Sequence, residues 1–149
     1  MMFESSRFES PGAFPMMSRK PSILIVDDEV NVARTLKLVF EHEGYEAITA
    51  HSCAEALELL RDSHIFDIVM TDLNMEKEDI GLEVARKAMH LRPRPVVVIC
   101  TGFASMSNSQ EALKLQVDYL ATKPADLKEL TASLNRLVML RADSSQEES

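Results

Sequence analysis

The chain has 149 residues, 46% hydrophobic and 27% charged, which suffices for one domain with a real core. Its net charge of −8 argues against unaided binding to nucleic acid or anionic lipid and favours holding a hard cation. No apolar stretch approaches the roughly 20 residues that span a bilayer, no signal-peptide core opens the chain, and the two cysteines, Cys53 and Cys100, suit a reducing compartment; a cytoplasmic protein without membrane insertion is expected.

Residues 1–20 mix Ser, Pro, Gly and charge without a period and read as a flexible N-terminal extension. A first strand is predicted at 23–26 (ILIV), and it runs straight into Asp27, Asp28 and Glu29. The helix after it puts Val32, Leu36, Val39 and Phe40 on one face and stops at Gly44. A weaker strand follows at 46–50. The second helix opens with Ser52 and Glu55 at capping-box spacing. The third strand is placed at 66–70 (FDIVM), just before Asp72. The third helix runs from about Gly81 to Leu91, with Leu82, Ala85 and Met89 aligned. The fourth strand, 96–100 (VVVIC), delivers Thr101, and a helix covers 106–115. A weak strand at 118–121 precedes Lys123 and Pro124. The last helix opens at Asp126, with Leu127, Leu130, Leu134, Leu137 and Val138 in a stripe. The domain is thus bounded at 21–141, with 142–149 read as a disordered tail.

Strands alternating with helices predict an α/β fold, a doubly wound parallel sheet covered on both faces. Such sheets bind ligands at the carboxyl ends of their strands. At that rim the pattern collects Asp27, Asp28, Asp72, Thr101 and Lys123. Crowded carboxylates raise one another's pKa unless a cation neutralises them. An oxygen-only donor set points to a hard divalent ion: Mg²⁺, with Mn²⁺ fitting the same donors. The acids read as a cradle completed by an incoming phosphoryl group. The four histidines are scattered without metal-ligand spacing and read as surface or boundary residues.

The segments ILIVDDE, IVMTDLNM, VVVICTG and YLATKP resemble the signature segments of bacterial response-regulator receiver domains, the CheY-like superfamily of two-component signalling, over residues 21–141. The resemblance implies a flavodoxin-like fold of five strands in order 2-1-3-4-5 with five helices. It implies that Asp72 is the phosphoacceptor. Asp27 and Asp28 would then hold Mg²⁺ together with Asp72 and the Asn74 backbone carbonyl. Thr101 would contact the phosphoryl group and Lys123 pair with it. It also implies a cis Lys123–Pro124 bond, a histidine kinase or phosphotransfer protein as donor, and slow self-dephosphorylation in place of enzymatic turnover. The kinase would dock on the first helix around Asn31, Arg34 and Thr35. Output would pass through helix four, strand five and helix five to a downstream protein or a second copy. About eight residues follow the last predicted helix, so a single-domain switch is expected.

Two departures stand out. The loop LNMEKEDIG has Glu76 where the family has proline, an apparent extra residue, and added charge from Glu78 and Asp79. The switch position three residues before Lys123 is Leu120, while Tyr119 lies one earlier. A one-residue offset in a strand points a side chain to the opposite face. Either a bulge restores Tyr119 or the Thr101–aromatic coupling is weakened, and atypical output is expected. Phe103 is expected to overhang the pocket and affect the lifetime of the acyl phosphate. Two other classes compete. A phosphatase using an aspartyl intermediate would need an acid at position 74, where asparagine stands. A phosphate-independent adaptor would have no use for the intact acids and lysine.

Overall fold

The computed structural model describes residues 19–62, 64–73, 80–102, 106–123 and 126–148, with the backbone alone at 80–81, 106–109 and 143–148. The elements alternate in the order β1 (Ser22–Val26), α1 (Val30–His42), β2 (Glu46–Ala50), α2 (Cys53–Arg61), β3 (Ile68–Asp72), α3 (Ile80–Met89), β4 (Val96–Thr101), α4 (Met106–Leu115), β5 (Tyr119–Thr122) and α5 (Leu127–Glu148). The strands form one parallel sheet in the order β2-β1-β3-β4-β5, as expected.

The three central strands are buried at every position, because helices cover both faces of the sheet. Alternate residues feed two cores. On one face Leu24, Val26, Val69, Val97 and Ile99 pack with Leu60 of α2 and Leu82 and Ala85 of α3. On the other, Ile23, Ile25, Met70 and Val98 pack with Phe40 of α1 and Leu130 and Leu134 of α5. Period-2 alternation therefore decides which helix each strand residue meets.

Local chemistry sets the helix ends. Gly44 has φ +103, a conformation that costs a side-chain-bearing residue energy. Its N–H bonds the Glu41 carbonyl, and the Tyr45 N–H reaches back to Phe40, 3.1 and 3.0 Å. This is a Schellman stop, sealed by an edge-to-face contact between Phe40 and Tyr45 at 5.2 Å. At the start of α2 the Ser52 Oγ accepts from the Glu55 N–H at 3.1 Å. A cap is worth about 1 kcal/mol, against about 2 for burying a leucine such as Leu60, so capping sets where α2 begins and burial holds it down. Asp126 Oδ1 accepts from the N–H groups of Lys128 and Glu129 and starts α5 in the same way.

Two boundaries differ from the sequence reading. β3 begins at Ile68, two residues later than expected. Phe66 is buried ahead of the strand, and the Asp67 carboxylate accepts from the Ser22 N–H at 2.7 Å, so an apolar run counted from Phe66 starts too early. α5 continues to Glu148, past the expected boundary at 141. Its residues 142–148 carry few strong breakers, so the helix propagates once its first part is packed.

Candidate functional site

The carboxyl rim of the sheet gathers the residues that the sequence singles out. β1 ends on Val26, and Asp27 follows with its N–H bonded to the Ala50 carbonyl of β2 at 3.0 Å. Asp72 is the last residue of β3 and Thr101 the last of β4. Lys123 follows β5, its N–H donating to the Thr101 carbonyl at 2.8 Å. Asp27, Asp72 and Thr101 are all buried, at 2%, 3% and 1% exposure. The strand geometry thus carries two ionisable acids into the interior on rigid elements.

The Lys123 ammonium bridges them. Its Nζ donates to Asp72 Oδ2 at 2.8 Å and to Asp27 Oδ2 at 3.0 Å. Burial works against the charged amine, but the hydrogen bonds to Asp72 and then Asp27 outweigh it and push Lys123 above the ordinary lysine range. Lys123 is therefore a fixed positive charge at any physiological pH. Beneath it a cavity walled by Ile25, Leu36, Met70 and Cys100 adjoins Asp27 and Asp72. Burial pushes the Cys100 thiol up to about 12, so it stays protonated and inert there.

Among the described residues, one ammonium does not balance this rim. Carboxylate oxygens of Asp27, Glu29 and Asp72 lie within 4.8 Å of one another. At that spacing and an effective dielectric constant of 20, one pair of like charges repels by about 3 kcal/mol. Glu29 stands at the N-cap position of α1 yet makes no side-chain capping bond, so its carboxylate is not spent on the helix. Asp28 is exposed beside it, in the same β1–α1 connection, and lies outside the converging trio. The donors are all oxygens, and their charge exceeds that of the lysine among them; this set suits a hard divalent cation. The sequence reading weighted Asp28 above Glu29, whereas the geometry brings Glu29 in. Asn74, Phe103, Glu76, Glu78, Asp79 and the Lys123–Pro124 bond lie outside the described residues.

Gly102 directly follows Thr101, the last residue of β4. A Cβ there would meet the Lys123 Cβ at 3.8 Å, an ordinary contact, so space alone does not demand glycine. At the switch position β5 pairs with β4 without a bulge, from Val98↔Tyr119 through Thr101↔Thr122. Tyr119 packs against the α1/α5 core, and Leu120 is 38% exposed. The regular ladder removes the bulge alternative and leaves Leu120 where the family carries its aromatic residue. The sequence reading also passed over His51. Its Nδ1 lies 3.2 Å from the Asp27 main-chain oxygen. The available signal was position: His51 is the first residue beyond β2, on the rim that holds the acids.

Known proteins resemble this chain in sequence and in fold. Residues 23–135 match the response regulator receiver domain family. The chain is 34% identical over 120 residues to the regulatory protein AtoC of Escherichia coli, covering 80% of this chain and 26% of that protein. Against the response regulator ArlR of Staphylococcus aureus it is 32% identical, with 78% and 52% covered. The chain spans about a quarter of the length of AtoC and of the similar transcriptional regulatory protein ZraR. A CheY-like receiver domain from Methanospirillum hungatei superposes with a TM-score of 0.78 at 28% identity, covering 85% of this chain and 99% of that one. A response regulator from Burkholderia pseudomallei, solved with a phosphorylated aspartic acid, a calcium ion and citrate, superposes with a TM-score of 0.70 at 28% identity, covering 87% and 75%.

Proposed function

The chain belongs to the response-regulator receiver-domain family of two-component signalling, and from that premise we propose that Asp72 is its phosphoacceptor in a Mg²⁺-dependent switch. The observation that carries this reading is the Lys123 ammonium, held 2.8 Å from Asp72 and 3.0 Å from Asp27 where the buried strands end. A carboxylate oxygen of Asp72 attacks phosphorus, the bond from phosphorus to the donor's histidine nitrogen breaks, and the histidine leaves with the electron pair. Such transfers need positioning and charge neutralisation more than covalent help. Lys123 is placed to release Asp72 Oδ2 and pair with a phosphoryl oxygen, keeping Asp27 as its second partner. The Thr101 hydroxyl, at the end of β4, supplies a neutral donor.

Asp27 and Asp72 would hold the cation together with Glu29, whose carboxylate converges with theirs; Asp28, beside them on the β1–α1 connection, and the Asn74 carbonyl are the further ligands that the family resemblance implies. When bound, Mg²⁺ would supply the positive charge that Lys123 alone lacks for neutralising phosphoryl oxygens beside Asp72. The Burkholderia protein, with its phosphorylated aspartic acid and calcium ion, supports both assignments by similarity. A histidine kinase or a phosphotransfer protein is the donor, and the phosphorylated state signals through protein contacts. Because Leu120 takes the aromatic position, the Thr101–aromatic coupling is weakened and output is atypical. No described helix is long and apolar enough to cross a membrane.

Incubation with acetyl phosphate and Mg²⁺, read by intact mass, tests the chemistry. The wild type should gain one phosphoryl group, and both Asp72→Ala and chelation should abolish the gain. A gain that survives Asp72→Ala would move the acceptor elsewhere.

A further inference from the structure

His51 has no part in the transfer just described, yet it is tied to the acids. It lies between the end of β2 and the start of α2. A carbonyl oxygen can only accept, so in the 3.2 Å contact with the Asp27 carbonyl it is Nδ1 that carries the hydrogen. The Asp27 carbonyl and the Asp28 N–H belong to one planar peptide unit, so a bond that fixes the first also sets the direction of the second. Two further bonds hold the same stretch: Asp27 N–H to the Ala50 carbonyl at 3.0 Å, and Glu29 N–H to Asp27 Oδ1 at 2.9 Å. His51 is itself anchored. Its N–H donates to Glu55 Oε1 at 2.6 Å, and the Glu55 N–H donates to Ser52 Oγ at 3.1 Å. The capping box of α2 is thereby linked through one imidazole to the loop that carries three acids.

We propose that His51 is a positioning residue for the cation site, holding the Asp27–Asp28 peptide in the orientation that presents these acids to the metal. This rests on the magnesium reading above. His51 is not itself among the converging ligand groups, and the contact needs only a hydrogen on Nδ1, so its role is geometric. Partners of this kind, one step behind the ligands, orient what the metal sees.

The test uses the full chain, with Mg²⁺ alone as the probe in calorimetric titration of the wild type, His51→Ala and His51→Asn. Loss of an outer partner typically weakens metal binding by roughly 10-fold or more, and that loss is expected for His51→Ala. Asparagine offers an N–H donor of similar reach and should recover most of it. In metal-free protein the amide resonances of Asp28 and Glu29 should move in His51→Ala and move less in His51→Asn, while the urea midpoint changes little. Wild-type affinity in His51→Ala, or an asparagine variant as weak as the alanine variant, overturns the inference alone. Absence of Mg²⁺ uptake by the wild type overturns the magnesium reading and this inference with it.

Discussion

The two ends of the sheet neutralise their carboxylates in opposite ways. At the amino end, Asp118 takes both guanidinium nitrogens of Arg94 at 3.0 and 3.1 Å, one from Arg141 at 3.2 Å, and the Val97 N–H at 2.8 Å. Asp67 there is held by Arg19 and the Ser22 N–H. Burial and then the like charge of Arg94 pull Arg141 below the usual arginine range, against the opposing pull of Asp118. At the carboxyl end, Asp27 and Asp72 have side chains only 3% exposed, deeper than the 15% and 17% of Asp118 and Asp67. Yet among the described residues one lysine serves both. Stability alone would give the deepest acids the most cations. The inversion separates two kinds of acid: those at the amino end staple the fold, and those at the carboxyl end form a group that could hold a metal ion.

The largest effect should come from exchanging one acid at each end. Asp118→Asn leaves Arg94 and Arg141 without their counter-charge and should cost about 2–3 kcal/mol in urea unfolding. Asp72→Asn relieves repulsion and keeps an oxygen for Lys123, so it should leave stability unchanged or raise it by about 1 kcal/mol. Equal losses at the two ends would break the contrast. An unpartnered hydroxyl beside the site sharpens it. Among the described residues the buried Thr71 Oγ1 has no hydrogen-bond partner, and it lies on the opposite face of β3 from Asp72, so Thr71→Val should stabilise by about 1 kcal/mol.

What could be read in the sequence divides along the same lines. The order of elements was legible because β1, β3 and β4 are buried on both faces and therefore appear as unbroken apolar runs. The rim acids were legible because carboxylates directly after such runs have no packing reason to be there. The amino-end cluster was not: Arg94, Asp118 and Arg141 are joined only by the β4–β5 register and the docking of α5. His51 escaped because its partner is a main-chain carbonyl, which leaves no mark in residue identities. Glu29 was ambiguous because an acid at a helix start also reads as a dipole partner; only its convergence with Asp27 and Asp72 in space brings its carboxylate to the rim. Phe66 misled because burial ahead of a strand looks like the strand itself.

Metal binding should register at one end alone. At ten times its dissociation constant, a ligand that binds only the folded state adds about 1.4 kcal/mol. Mg²⁺ should raise the thermal midpoint accordingly, beyond what NaCl of equal ionic strength achieves. Asp27→Asn should blunt the rise, and Asp118→Asn, though less stable, should keep it. A rise that Asp27→Asn leaves intact would place the cation elsewhere.

The smallest effect concerns the floor of the carboxyl-end site. Burial is the main reason that the Cys100 thiol is pushed up to about 12, with Asp72 and Asp27 adding to the rise and Lys123 opposing it. A thiol raised in the folded state contributes stability that is fully present below its unfolded value, near 8.5, and is lost as pH climbs toward the folded one, because the unfolded chain sheds the proton first. Between about pH 8 and 9.5 the wild type should lose about 1 kcal/mol more than Cys100→Ala, read as the difference in slope rather than in absolute stability. The alanine variant also opens a small cavity, but that cost does not change with pH and cancels in the slope. Parallel slopes would mean that the thiol reaches solvent, and that the floor beneath Asp27 and Asp72 is wetter than its apolar walls imply.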